Sequence, residues 1–162
     1  MIVVYVVIGV TFLYFTFAIK VIQEGRVGIV ERFGVFSKEI KPGFNLIIPG
    51  LDKLKKIVNI EPQKIVLSTL DLTTQDNKVV SVIPVMDFKV VTPKLCVYGV
   101  NNPMQAISNL VAEKLESKTS KMFFIDIETD IEKISKRLTK DLKVLFLNFG
   151  IELASISLKI IV

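Results

Sequence analysis

The sequence contains no histidine and a single cysteine, Cys96. Without histidine, the side chain most often used in general acid–base catalysis is missing, and neither a Ser/His nor a Cys/His nucleophilic pair can be assembled. One cysteine permits no disulfide within the chain, and the sequence has no Cys/His spacing typical of zinc. We therefore predict that the protein is not an enzyme and uses no cofactor.

Charge is also absent from the start of the chain. The first charged side chain is Lys20, and the nineteen residues before it are rich in Val, Ile, Phe and Tyr. As a helix they would extend about 28 Å, close to the roughly 30 Å hydrocarbon core of a bilayer. The run predicts a transmembrane anchor over residues 1–22, followed by a folded domain over residues 23–162.

A cleaved signal peptide and a buried helix or strand of a soluble protein are the alternatives to this anchor. A signal peptide has basic residues before a shorter apolar stretch and a small-residue cleavage site after it. Here no Lys or Arg precedes the run. The sequence at its end, Phe17-Ala18-Ile19-Lys20, is not a small-residue cleavage site. Both features favour a retained anchor.

Positive charge is concentrated just after the apolar run. Residues 20–60 hold eight basic and four acidic side chains, whereas residues 61–162 hold 13 basic and 12 acidic ones. The positive-inside tendency therefore predicts a single-pass membrane protein with a cytoplasmic body beside an anionic leaflet. A solvated face with a slight basic bias is the simpler alternative. Nucleic acid is not an expected partner, because acids are interleaved and no recognition motif accompanies the basic residues.

Strand patterns occupy the chain up to about residue 91. Residues 25–34 are typical of a strand closed by a glycine turn, and residues 41–50 are an apolar stretch between two Pro-Gly pairs. This stretch belongs either to the core or to a segment that dips into the membrane surface. Pro84 donates no ladder hydrogen bond, which predicts an edge position or a bulge at that point of its strand. Alternation along that strand places five apolar side chains on one face: Val80, Val82, Met86, Phe88 and Val90.

Two helices and a final strand follow. Asn102 and Pro103 are a favoured N-cap and first-turn pair, and capping-box spacing predicts that the second helix opens at Thr129. Gly150 is expected to be a left-handed cap. Strands, then helices, then a closing strand predict an α+β architecture. The closing strand alternates, with these residues on its apolar face: Ala154, Ile156, Leu158 and Ile160.

Five stretches, in order, resemble the SPFH, or band 7, domain shared by stomatins, prohibitins and flotillins. They are residues 23–34, 41–49, 74–79, 93–103 and 149–153. Stomatin and its bacterial relatives are the most similar branch. The resemblance runs from about residue 20 to the end and implies a mostly antiparallel sheet with packed helices.

The resemblance also implies a function. Such proteins are membrane-anchored scaffolds that oligomerise laterally, with themselves or with related subunits, to organise membrane microdomains and hold or regulate membrane proteins. A membrane protease or a channel is the implied partner. The alternative is a dedicated regulator that binds one such protein without forming a large array. Family members usually continue into a long coiled coil, so a naturally short protein, a fragment and a minimal subunit all remain open.

A few other residues attract attention. Cys96 lies in an apolar run and is interpreted as a small core residue rather than as a reactive or acylated thiol. Asp71 and Asp76 are expected in turns. No residue is nominated as catalytic, cofactor-binding or metal-ligating. An alternating acidic run is either a weak cation site or the negative charge that a helix start favours: Asp126, Glu128, Asp130 and Glu132.

Overall fold

The computed structural model describes residues 2–100 and 102–161, apart from the side chains of residues 10, 11 and 13–15. The helices are α1 (Ile2–Ala18), α2 (Pro93–Tyr98), α3 (Pro103–Thr119) and α4 (Phe124–Leu147). The strands are β1 (Ile19–Ile22), β2 (Arg26–Arg32), β3 (Val35–Ile40), β4 (Gly43–Leu46), β5 (Asp52–Asn59), β6 (Gln63–Val66), β7 (Leu70–Thr73), β8 (Val79–Val90) and β9 (Ile151–Ile161). The strand pairs are antiparallel, which confirms the predicted α+β class. The chain forms two compact units, one up to Glu61 and one from Pro62 onward.

Helix α1 is shorter than the predicted anchor. It has 17 residues and ends at Ala18, whose carbonyl accepts a hydrogen bond from the backbone N–H of Ile47 at 2.8 Å. Residues 19–22 form strand β1 and pair with β4 instead of extending the helix. Within the described residues, the helices fall short of the combined length and apolar character that crossing a membrane requires. The predicted transmembrane anchor over residues 1–22 and the single-pass topology are therefore not supported.

The first unit contains two small sheets. Strands β1 and β4 form a two-stranded ribbon, and β2 lies between β3 and β5 in a three-stranded sheet. The turn from β2 to β3 uses positive φ angles at Phe33 and Gly34, 52° and 80°, as the predicted glycine turn requires. The core of this unit consists of a few aliphatic side chains: Ile22, Val30, Ile40 and Ile47, with Leu54 packed against them.

The second unit is organised around strand β8. Strands β6 and β7 pair with successive parts of one side of β8, and β9 pairs with the other side. Helix α3 contacts β7, and α4 contacts β9. The predicted apolar face of β8 is confirmed, since each of its five side chains is buried: Val80, Val82, Met86, Phe88 and Val90.

Pro84 lies in the centre of this sheet, so the prediction of an edge position was wrong. The bulge is elsewhere too, between Asp87 and Phe88. The carbonyl of Pro84 accepts a hydrogen bond from the N–H of Leu67 at 2.9 Å, in the short interruption between β6 and β7. In an antiparallel ladder the N and O atoms of one residue face the same neighbour. Pro84 therefore lacks its N–H on the side of this interruption. No described strand is paired with that side of β8 at that point, so no ladder hydrogen bond is lost.

The bulge also changes which face of β9 each residue occupies. Asp87 pairs with Ser155 but Phe88 pairs with Leu153, so Ala154 is the extra residue. The predicted apolar face is therefore wrong at Ala154, which is exposed, while Leu153 is buried. One extra residue inverts the alternation on its two sides.

The helix ends follow local signals in two places and not in a third. The side chain of Asn102 accepts a hydrogen bond from the N–H of Gln105, which confirms that cap. Gly150 has the predicted left-handed backbone, with a φ of 73°, but it lies two residues after Asn148, the C-cap of α4. Helix α4, however, begins at Phe124 and not at Thr129. The predicted start falls beside a kink, because Asp130 has a non-helical backbone, with φ −107° and ψ 16°.

Candidate membrane-contacting surface

Helix α1 exposes apolar side chains around its circumference. Its described side chains are exposed except for that of Ala18, and the exposed fraction reaches 81% at Ile2 and 72% at Phe12. A helix that is apolar on all sides is normally buried in protein or in lipid. Soluble monomers rarely expose apolar patches of more than a few hundred Å². The helix is therefore a candidate contact surface.

The β1–β4 ribbon continues this apolar surface. Ile19 lies opposite Leu46, and Val21 lies opposite Phe44, so two cross-strand pairs share one face. These side chains are exposed, most of all Phe44 at 87% and Leu46 at 66%. We call this the outer face of the ribbon: Ile19, Val21, Phe44 and Leu46.

The stretch between the two Pro-Gly pairs therefore combines both predicted roles. Ile47 is 6% exposed and belongs to the core, whereas Phe44, Leu46 and Ile48 are exposed. Alternation within β4 and the residues after it separates the two sets. The segment is thus both a core element and part of the candidate contact surface.

The basic residues of the first unit differ in their partners. Arg32 pairs with Asp52, Lys55 pairs with Glu31 at 3.3 Å, and the ammonium of Lys38 donates to the carbonyl of Leu46 at 3.2 Å. The other five form no salt bridge within the described part of the chain: Lys20, Arg26, Lys41, Lys53 and Lys56. Their charges are available to an anionic partner.

Asp52 fixes the loop that follows β4. Its buried carboxylate accepts hydrogen bonds from Arg32 Nε at 2.8 Å, from Arg32 Nη2 at 3.3 Å and from the N–H of Ile48 at 3.0 Å. The bond from Arg32 and then that from the Ile48 N–H lower the pKa of Asp52, and the same ion pair raises the pKa of Arg32. The charged pair therefore holds the turn at Pro49 and Gly50 beside the ribbon.

The acidic run does not form a cation site. Within the described residues, no group of three or more potential ligands is close enough to hold a metal ion. Asp130 instead forms a salt bridge with Lys133 at 2.7 Å. The run is spread along α4: Asp126, Glu128, Asp130 and Glu132.

Asp71, Asp76 and Cys96 lie in three different elements of the second unit. Asp71 lies in strand β7, so its predicted turn position was wrong, whereas Asp76 lies in the turn before β8 as predicted. Asp76 accepts a hydrogen bond from Thr74 Oγ1 at 2.6 Å, which is the main reason that its pKa is lowered. Cys96 is only partly buried, in α2.

Comparison with known proteins gives one family. The model of the SPFH domain / Band 7 family matches residues 20–162. An uncharacterized protein from Methanothermobacter thermautotrophicus is 30% identical over 121 residues, which is 75% of this chain. Stomatin-like protein stl-1 from Caenorhabditis elegans is 29% identical over 64% of this chain, and the human mitochondrial stomatin-like protein 2 is 26% identical over 62%.

These relatives are much longer than the chain. The matched segments cover 38%, 32% and 28% of their respective lengths. The chain therefore corresponds to about a third of each relative.

Proposed function

Because this chain belongs to the SPFH domain / Band 7 family, we propose that it is a membrane-attached scaffold that assembles laterally and holds or regulates membrane proteins. Attachment is through α1 and the outer face of the ribbon, which enter the lipid together. The observation that carries the proposal is the apolar surface that runs from α1 into the paired residues of β1 and β4. A membrane protease or a channel is the proposed class of partner.

The energetic contributions of the two parts differ. Removing a large apolar side chain from water is worth about 1.5–3 kcal/mol. For α1 the sum over its exposed large side chains exceeds about 10 kcal/mol. The four outer-face side chains of the ribbon contribute a smaller share, because they are fewer. Helix α1 therefore supplies most of the affinity, and the ribbon determines how deep the adjacent sheet lies. The exposed large side chains of α1 are Ile2, Val3, Val4, Tyr5, Val6, Val7, Ile8, Phe12 and Phe17.

The proposed membrane side is the cytoplasmic leaflet. Five basic side chains of the first unit have no intramolecular salt bridge in the described part of the chain, and each is worth about 1 kcal/mol near anionic lipid. The remainder of the chain then lies in the cytoplasm. If protease added outside intact cells digested the second unit, this orientation would be wrong.

Vesicle flotation tests attachment. We expect the whole chain to float with vesicles in high salt, because most of its affinity is apolar. Ile8→Lys with Phe12→Lys should leave binding that depends on anionic lipid and is lost in high salt. Phe44→Asp with Leu46→Asp in that background should abolish flotation. Val144→Asp is the matched control, because Val144 is 69% exposed but lies in α4. A native chain that remains in the dense fraction with vesicles of every composition refutes attachment.

Sizing in mild detergent separates the scaffold from the alternative. A large assembly supports lateral scaffolding. A strict monomer that captures one membrane protein with fixed stoichiometry supports a dedicated regulator that forms no array.

The proposed function includes no catalysis, because the chain has no histidine. Turnover of a substrate that is abolished by a single Ser or Asp substitution would contradict this part of the proposal.

A further inference from the structure

One long edge of the second unit's sheet has no strand partner. Within the described residues, β9 pairs with β8 alone. The N–H of Ile156 faces away from β8 and donates to Thr139 Oγ1 of α4 at 2.9 Å. Because backbone groups alternate along a strand, Leu158 and Ile160 also direct their N–H and C=O groups away from β8. The helix therefore covers the edge at Ile156, and a short open stretch follows.

The opposite edge is open as well. Strand β7 pairs with β8 alone among the described strands, with Leu70 opposite Val82. The carbonyl of Pro84 faces the β6–β7 side of β8. The backbone N–H and C=O of Val82, two residues earlier, therefore face the same side. Leu70 therefore directs its backbone groups toward β8, and the next residue, Asp71, directs its own outward.

We propose that copies of this chain join edge to edge, with β7 of one copy pairing in parallel with β9 of the next and Asp71 opposite Lys159. The inference deepens the proposed scaffold function and rests on it, because it names the contact that makes assembly lateral. Strands β7 and β9 both run antiparallel to β8, so they share one direction. A neighbour in the same orientation therefore presents its β9 parallel to β7.

The hydrogen-bonding phase fits this register. In a parallel ladder, a residue with outward backbone groups bonds to the two residues that flank its opposite partner. The N–H of Asp71 then donates to the carbonyl of Leu158 in the next copy, and the carbonyl of Asp71 accepts from the N–H of Ile160. Lys159 itself faces β8, as its position between these two outward residues requires.

Charge and burial agree with the same register. Lys159 is exposed and forms no salt bridge within the described residues. Among the described residues, the Asp71 carboxylate accepts one hydrogen bond, from Ser81 Oγ at 2.6 Å on the exposed face. Opposite residues in paired strands point to the same face, so the two charges meet. Leu158 and Ile160 are half-buried on the other face of β9, and the neighbouring copy would bury them further.

The contact leaves both outer edges of a pair unused. It joins two different surfaces of the same chain, so it continues into a closed ring or an open filament rather than stopping at a dimer. Each contact is small, so the assembly is stabilised by repetition of the contact along the ring or filament.

A charge swap tests the contact in mild detergent, where membrane attachment plays no part. Asp71→Lys alone and Lys159→Glu alone should each raise the protein concentration needed for assembly at least tenfold, because like charges then meet. Sizing over a dilution series measures this concentration. A 1:1 mixture of the two variants should assemble again, since each variant offers the charge that the other lacks. The double variant should also assemble. Lys143→Glu, on exposed α4, is the matched control and should behave as the native chain does.

Other results overturn the contact. Single variants that assemble like the native chain refute it, as does a mixture that fails to assemble. Asp71→Asn keeps an acceptor for Ser81 and removes the charge. It should weaken assembly without lowering the thermal unfolding midpoint, and unchanged assembly would count against the ion pair. Loss of flotation with assembly retained would refute membrane attachment alone.

Disulfide trapping gives the geometry. In a Cys96→Ser background, Asp71→Cys and Lys159→Cys together should give a ladder of dimers, trimers and larger species. Residues two strands apart in one sheet are separated by about 9.6 Å, which is too far for a disulfide within one chain. Asp71→Cys with Lys143→Cys is the control and should give no ladder. A strong dimer from Lys159→Cys alone, without a ladder, would indicate β9–β9 pairing and refute the proposal.

Discussion

The carboxylate of Asp76 accepts a hydrogen bond from the backbone N–H of Phe124, 48 residues further along the chain, at 3.1 Å. Phe123, at the N-cap of α4, provides no side-chain cap of its own. A carboxylate from the β7–β8 turn therefore satisfies one of the free N–H groups that begin the helix. Its negative charge also lies at the positive end of the helix dipole. The turn and the helix start are thus a single unit.

Asp76→Ala should loosen the first turn of α4. The N–H of Phe124 loses its acceptor and Thr74 Oγ1 loses one bond, so the thermal midpoint should fall by a few degrees. Hydrogen exchange at residues 124–127 should accelerate more than elsewhere in α4. Glu132→Ala, also an exposed acidic residue of α4 but beyond its first turn, is the control and should change neither quantity. Unchanged exchange at Phe124 would contradict the capping role.

Acid should release the loop that Asp52 holds. The pKa of Asp52 in the fold lies below its ordinary value of 3.8, mainly because of the bond from Arg32. Its stabilising effect is therefore complete above about pH 4 and is lost as pH falls through the lowered pKa. We expect exchange of the Ile48 N–H, corrected for its intrinsic pH dependence, to accelerate over that acidic range. Asp52→Asn should show faster exchange at pH 7 and little further change in acid. A native loop that is insensitive to acid would contradict this mechanism.

The core contact of α4 should dominate the stability of the second unit. Phe146 is fully buried, so Phe146→Ala should lower the free energy of unfolding by about 3–5 kcal/mol. Val144→Ala, two residues earlier on the exposed side, should stay within about 0.5 kcal/mol of the native chain. Urea unfolding followed by circular dichroism measures both, and similar losses in the two variants would place the core elsewhere.

Thr139 should stabilise the second unit through the hydrogen bond of its hydroxyl rather than through its shape. Thr139→Val keeps the volume but leaves the N–H of Ile156 without its acceptor, which should cost about 1–3 kcal/mol. Thr129→Val is the control, because that hydroxyl only donates within its own helix, to Ile125, at an exposed position. Its loss should stay within about 0.5 kcal/mol. Equal urea midpoints for the native chain and Thr139→Val would refute the bridge between α4 and β9.

Features that depend on residues close in sequence, such as helix ends and the buried face of a strand, were predicted from the sequence. Asn102 caps α3, and Gly150 adopts the left-handed backbone that ends the segment after α4, as the sequence indicates. The alternation of β8 also predicted its buried face, since a strand inside a sheet keeps its period on both sides of Pro84.

Errors arose where a distant segment decides the local structure. The start of α4 depends on Asp76, which is far away in sequence, so the spacing after Thr129 was misleading. The exposed position of Ala154 depends on the register with β8, which a single strand does not encode. The end of α1 at Ala18 depends on pairing with β4, whereas the uncharged run records only composition.

The candidate surface was partly visible in the sequence. The apolar stretch beside the lysines predicted either a core or a membrane segment, and the alternation of Phe44 and Leu46 with Asn45 divides it. Which of the two faces is exposed follows from the partner strand β1. Its pairing places Val21 opposite Phe44, and no local pattern records that pairing.

The hydroxyl of Thr139 on the N–H of Ile156 also bears on how a newly made chain avoids aggregation. Long unprotected sheet edges template amyloid-like stacking between unrelated molecules. Here a helix covers an 11-residue edge strand near its middle, so stacking on the β9 edge is confined to a short end. The β9 edge is thereby a poorer template for indiscriminate cross-β growth than an uncovered strand of the same length.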